Sequence, residues 1–538
     1  MRSGVKTALV GGVFTVMVGV AGYGAVNLYN GVTGGSTSTS DAKPTSGPVT
    51  DEEVKETVGK FFKAWQAGDP DTAAALTNDA DKAGKVLGSF VSADITKVKV
   101  EQGAVSGTSV PFTVSATVSS NGKSKPFSYK SQLKVVRGVT TGVALVDWKP
   151  TVAHPAMEDG DTFAVGQADD PQIEVVDRDK KVLSAEKYPS LAPIIDELKN
   201  RYADKAGGKP GIELWIERAD ATAYNTPLVT LQKGEPGKIR TTLSAKAQAA
   251  AEKAVQSKAK SSVVAIQPSS GQVLAVANQE PGNNTAFMGR LAPGSTMKIV
   301  TAATFIDNGV AGPGSHAPCV NSIVYRSQTF HNLTGLAPNE NATLAEDFSR
   351  SCNTAFIKLI AHDDLNDNSL TQEAAKFGIG AEWQTGIPSY DGSVPPAETS
   401  DRAANAIGQG VVQMSPLNLA SIVATVKGGG SFKQPVIVGS SYGLQRATAP
   451  GVRGNTASQL TDMMRTTARS GSAASAVGGL SGDVGAKTGS AEVAGQDKPN
   501  SWFAGFRGDI AVAAVVIEGG RGGEAAGPIV AQVLGAGY

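Results

Sequence analysis

Apolar residues fall into three patterns along this chain, and each predicts a different element. The first is an unbroken run. Thr7–Tyr29, TALVGGVFTVMVGVAGYGAVNLY, carries no charge and follows Arg2 and Lys6. A run of that length can cross a bilayer. The positive residues before it predict a cytoplasmic N-terminus (1–6) and an exported remainder. A cleaved signal peptide competes with an uncleaved anchor. The length of the run and the lack of an Ala-x-Ala site favour the anchor, and no cysteine follows to accept a lipid. Residues 30–50, rich in Gly, Ser, Thr and Pro, predict a flexible tether.

The second pattern repeats every three to four residues and the third every two. Val54, Val58, Phe61, Phe62 and Trp65 share one helical face until Gly68-Asp69-Pro70 interrupts it, and short helical pieces continue to about Leu87. Alternating strands follow at Val110–Val118, Phe127–Val136 and Val143–Trp148, with an Asn121-Gly122 turn between the first two. Helices and then a curved antiparallel sheet predict a small α+β cone over 51–156. It shows no acid–histidine constellation, and His154 is assigned a structural role. Residues 157–260 form a mixed region. It holds a strand pair over Ile173–Leu183 turning at Asp179-Lys180, a helix over Leu191–Tyr202, and a strand leading into an alanine-rich helix over Lys238–Ala254.

From 261 to 538 the pattern is clearer. Ser261–Gln279 is a hairpin about Pro268-Ser269-Ser270-Gly271. Ser501–Gly519 is another strand pair, turning at Arg507-Gly508-Asp509. A mostly helical stretch separates the two hairpins. The expected fold is α+β and multidomain, ending in an antiparallel sheet with its terminal strands together and helices on both faces.

Composition narrows the functions. Lys+Arg and Asp+Glu both number 49 among 538 residues, so no basic field exists to hold nucleic acid. Two cysteines and four histidines without ligand spacing argue against a metal site, and no cofactor is expected.

The chemistry gathers in three places. In Leu291–Gly309, LAPGSTMKIVTAATFIDNG, Pro293 and Gly294 set a turn and Ser295 opens an apolar helix that Asn308-Gly309 ends. Lys298, one turn on, shares the face of Ser295, and a desolvated lysine can take the proton of a serine. Ser351-Cys352-Asn353 lies between two apolar helical stretches. Lys487-Thr488-Gly489-Ser490 reads as an edge strand whose glycine lets a substrate backbone lie alongside. Taken singly, these are a helix cap, another cap and a surface lysine.

Together, in this order and between two hairpins, Ser-x-x-Lys, Ser-x-Asn and Lys-Thr-Gly resemble the signature of the penicillin-recognising serine acyl-transferases. LAPGSTMKIVTAA, SCNTAF, AIGQGVVQMSPLNLA, KTGSAEV and SWFAGF resemble family phrases. Val146–Asp161, VDWKPTVAHPAMEDGD, is similar to the end of the nuclear-transport-factor-2-like domain of methicillin-resistance-type penicillin-binding proteins. The resemblance makes 157–260 a pedestal, with Asp177-Arg178-Asp179-Lys180 a degraded form of the family's turn, and 261–538 a penicillin-binding transpeptidase domain.

The resemblance also implies roles. Ser295 would be the nucleophile, Lys298 its base, and Ser351 a proton relay. Asn353 would bind substrate amide and hold Lys298, while Lys487 would supply positive charge. Thr488 and Ser490 would bind a terminal carboxylate against Gly489, and the N–H groups of Ser295 and Ser490 would form an oxyanion hole. Substrates would be peptidoglycan stem peptides, a D-Ala-D-Ala donor and an amine acceptor, with β-lactams as covalent inhibitors. Wall polymerases or elongation and division proteins are candidate partners, at a bacterial cytoplasmic membrane. A D,D-carboxypeptidase or β-lactamase on the same fold, or a non-catalytic scaffold, are the alternatives. Class D β-lactamases have valine where this chain has Asn353. Cys319 and Cys352 are either a disulfide, which an exported protein permits, or two buried thiols.

Overall fold

The computed structural model describes residues 47–168, 172–220 and 222–538. The expected anchor over Thr7–Tyr29 and most of the tether lie outside them. Among the described residues no helix is long and apolar enough to cross a membrane. The chain divides into two compact units. One runs to Gln167 and takes in Ile212–Gln232; the other holds Ala168–Gly211 and Lys233–Tyr538.

The first unit contains the cone. Helix α1 (Asp51–Gln66) starts at Thr50, whose side chain accepts from Glu53 N–H while Glu53 reaches back to the Thr50 N–H. Its apolar face buries Val54, Val58, Phe61, Phe62 and Trp65. Helices α2 (Pro70–Ala75) and α3 (Ala80–Ser92) follow. The sheet is antiparallel in the order β1 (Ile95–Gln102), β2 (Ser109–Ser120), β3 (Lys123–Arg137), β4 (Ala144–Val146). Strand β1 was not expected from the sequence. It is an edge strand in which Val98 and Val100 are half-buried on the core, but a bulge between Thr96 and Lys99 puts them out of phase with buried Ile95, so ITKVKVEQ shows no continuous alternation. His154 is buried, stacked on Phe127 and tilted against Tyr129, and burial lowers its pKa to about 4. It packs rather than titrates near neutrality.

Residues 157–260 serve both units. Thr162–Gln167, Ile212–Glu217 and Thr226–Gln232 form an antiparallel sheet whose Phe163, Leu214 and Ile216 join the core of the cone. Val175, Leu183, Leu198 and Ile239 pack into the core of the second unit. The strand pair expected at Ile173–Leu183 forms only in part. Ile173–Val176 runs parallel to Gly237–Arg240, and the return leg is reduced to a bridge at Val182, made by the bonds from Asp177 N–H to Lys181 O and from Leu183 N–H to Val175 O. The Asp177 carboxylate accepts from the N–H groups of Asp179, Lys181 and Ala245, which tightens the turn and commits the preceding strand to a distant partner.

The second unit is built on five antiparallel strands, β5 (Ser261–Gln267), β6 (Gln272–Asn278), β7 (Val484–Ala491), β8 (Asn500–Arg507) and β9 (Ile510–Val516), ordered β6-β5-β9-β8-β7. The first strand thus pairs with the last, Ser261 opposite Val516, and β7 lies at the edge. Alternate residues sort to opposite faces. Val263, Ala265 and Val512 meet α4 (Ala245–Val255) and α10 (Ala526–Ala536). Val264, Ile266 and Ala513 face the larger helical layer. That layer includes α5 (Lys298–Asp307), α6 (Leu344–Arg350), α7 (Asn353–Ile360), α8 (Pro416–Lys427) and α9 (Gly454–Ser470). With both faces covered, these strands read as continuous apolar runs.

Candidate active site

The three motifs come from a turn before a helix, a turn between helices and an edge strand, and the second unit brings them to one cleft. Gly294–Met297 is a 3-10 turn leading into α5, and it carries Ser295, 6% exposed. Gly294 has φ +54° and lies so close to β7 that a Cβ on it would sit 2.5 Å from Ser490 O. On its other side Gly408, φ +78°, accepts from Gly294 N–H at 2.8 Å through its carbonyl. Only glycine at both positions allows this approach, which sets Ser295 beside Ser490.

Lys298 is fully buried. Its Nζ donates to Ser351 O at 2.9 Å and to Asn353 Oδ1 at 2.7 Å. An ammonium has three N–H donors; a neutral amine has two and a lone pair. Two acceptors therefore leave the third direction free. Burial, and then the charge of Lys487, hold the pKa of Lys298 well below the usual lysine range, with Asp347 opposing them. Ser295 stands one turn ahead, with no hydrogen bond between its Oγ and Lys298 Nζ.

Ser351 ends α6 in the left-handed conformation, φ 64°, so its side chain and carbonyl face different lysines. Lys487, also fully buried, donates to Ser351 Oγ and to Thr488 O, both at 2.9 Å. Burial pulls its pKa down to about 7. Cys352 follows Ser351 and is disulfide-bonded to Cys319, with 6.1 Å between Cα atoms. The Asp347 carboxylate lies within 4.8 Å of both sulfurs. The bond between the sulfurs removes the thiolates that such a trio would need to hold a metal.

Three further residues support the site and carried no motif. Asn332 Oδ1 accepts from the N–H groups of Asn353 and Thr354, and its Nδ2 donates to Val320 O, so it caps α7 from a loop. Ser472 shares a 2.7 Å hydrogen bond with Thr488 Oγ1. Arg521 donates to Thr334 O across the mouth of the cleft. Asn, Ser and Arg in loops are too common for spacing to mark them. The cleft has a volume of about 280 Å³, and its lining includes Ser295, Ser351, Thr488, Gly489, Ser490 and Leu333–Leu336.

The arrangement can deprotonate a hydroxyl, hold an anion near Lys487 and admit a chain along β7. Comparison with known proteins places it. The penicillin binding protein transpeptidase domain matches residues 261–535, more than half of the chain. This chain belongs to the penicillin-binding protein transpeptidase family. Its N-terminal unit matches the NTF2-like N-terminal transpeptidase domain over residues 53–161. The peptidoglycan D,D-transpeptidase PbpA of Mycolicibacterium smegmatis is 28% identical over 353 residues, 54% of this chain and 71% of that protein. The crystal structure of PBPA from Mycobacterium tuberculosis is 25% identical, with TM-score 0.50, covering 56% of this chain and 82% of that one. A chain from a peptidoglycan synthase complex that coordinates polymerization and crosslinking shares the fold at 20% identity and TM-score 0.56, covering 70% and 92%. The transpeptidase fold and the NTF2-like domain expected from the sequence are both present.

Proposed function

We propose that this penicillin-binding protein is a peptidoglycan D,D-transpeptidase working through a serine acyl-enzyme. The observation that carries this reading is the network in which two buried lysines hold Ser351 from opposite sides beside Ser295. A neutral Lys298, its two N–H groups directed to Ser351 O and Asn353 Oδ1, offers its lone pair to the Ser295 proton. Ser295 Oγ attacks the carbonyl of the penultimate D-Ala. The oxyanion is held by the N–H groups of Ser295 and Ser490. The terminal carboxylate is drawn by Lys487 and bound by Thr488 and Ser490. The proton taken by Lys298 passes through Ser351 Oγ to the leaving D-Ala nitrogen. An amine of a second stem peptide enters, gives up its proton by the same route in reverse and takes the acyl group. A β-lactam presents a strained amide of like shape and leaves Ser295 acylated. In this reading Thr7–Tyr29 anchors the protein in the bacterial cytoplasmic membrane, with the catalytic unit outside.

The test is labelling of the full chain by a fluorescent penicillin, beside Ser295→Ala, followed by cross-linking of D-Ala-D-Ala pentapeptide strands. Stable labelling abolished by the substitution, with cross-linked product, supports the reading. Rapid turnover of the penicillin makes the protein a β-lactamase instead, and release of D-Ala without cross-links makes it a carboxypeptidase.

A further inference from the structure

Asp347 lies on α6, one turn before Ser351, and is fully buried. Neither of its carboxylate oxygens has a hydrogen-bond partner. Its main-chain carbonyl does have work: it accepts from Ser351 N–H and Cys352 N–H, closing the turn that presents Ser351 to both lysines. An unpartnered buried carboxyl is costly, and a small apolar residue would serve the same helix. The disulfide beside it offers only weak acceptors, which cannot satisfy a carboxylate. Lys298 Nζ donates to Ser351 O on the same turn that the Asp347 carbonyl closes, and the charge of Lys298, with those of Glu346 and Arg350, acts on the carboxyl.

We propose that Asp347 is a positioning residue for acylation: a buried acid behind Lys298 that sets how readily the lysine amine gives up its proton. The inference rests on Lys298 being the base. The charged groups about Asp347 are Lys298 on α5 and, on its own helix, Glu346 and Arg350. Lys487, on β7, acts on Lys298 in the opposite sense. Burial, then Glu346, raises the Asp347 carboxyl to about 7, against Arg350 and Lys298. Near neutrality the acid therefore exchanges between two forms. Ionised, it favours the ammonium of Lys298. Protonated, it leaves burial and the charge of Lys487 unopposed, and the neutral amine is favoured. The pair titrates as a unit.

The experiment compares full-length wild type with Asp347→Asn and Asp347→Ala. It measures the second-order rate of acylation by a fluorescent penicillin from pH 5 to 9, with thermal unfolding alongside. Removing the acid's charge lowers the proton affinity of Lys298. The low-pH limb of the profile then moves to lower pH by roughly half a unit or more in both variants. A limb that stays at the wild-type midpoint in a folded variant, whatever happens to Tm or the maximum rate, overturns the proposal. Asp347→Ala covers the case in which the asparagine finds no partner and fails to fold. Ser295→Ala separates the two ideas. If it abolishes labelling while the limb is unmoved, the acyl-enzyme reading stands and only the role of Asp347 falls. If wild type is not acylated, both fall.

Discussion

Lys487 Nζ donates to Ser351 Oγ at 2.9 Å, from an edge strand to the end of a helix, with both residues buried. The contact serves two ends. It orients the hydroxyl that would relay protons, and it keeps a positive charge near Lys298, whose pKa that charge lowers. Lys487→Met should cut penicillin acylation by roughly 100-fold or more. It should also move the low-pH limb of the profile upward, opposite to the shift expected for Asp347→Asn. Unchanged acylation would remove Lys487 from the mechanism.

Cys352 separates Ser351 from Asn353, and its bond to Cys319 closes a loop across 33 positions. Cys319→Ser with Cys352→Ser should lower stability by about 3 kcal/mol. Acylation should slow as well, because the loop bearing Asn332 is then tied to α7 by side-chain hydrogen bonds alone. Denaturant unfolding and labelling rate, each with and without reductant on the wild type, check both effects.

Gly408 is where packing at the Ser295 turn is tightest. A Cβ there would lie 1.8 Å from Gly294 O. Gly408→Ala should cost at least about 2 kcal/mol and displace the Ser295 turn from Ser490. Labelling should fall far more than Tm does.

A second buried charge cluster locks α5 from behind. Lys376 bonds Asp307 at 2.5 Å and Glu373 at 2.7 Å, and Thr456 also bonds Asp307. Both carboxylates are only 1% exposed. Lys376→Ala removes the cation that the two share and should cost about 3 kcal/mol in denaturant unfolding.

Glu373 gives a pH signature of its own. Burial raises its pKa to about 7, so the folded state holds a proton that the unfolded state has lost. Its contribution is therefore present below the unfolded value and disappears as pH rises through about 7. The Tm of wild type minus that of Glu373→Gln should fall between pH 5 and pH 8.

The sequence by itself determined what is local and periodic. Spacing placed Ser295 before a buried helix, Ser351 between two helices and Lys487 on an edge strand, and the two apolar hairpins foretold a sheet joining Ser261 to Val516. Only the tertiary structure decided which polar groups lost their water. Asp347 and Glu346 are neighbours in sequence, yet Asp347 alone is fully buried and unpartnered, because α6 turns one side toward the disulfide. Likewise Asn332 and Ser472 gained roles from chains folded against them, and Ile173–Val176 found its partner over sixty residues away at Gly237–Arg240. Burial, pKa and non-local pairing depend on residues brought together by the whole core, and no window of sequence contains them.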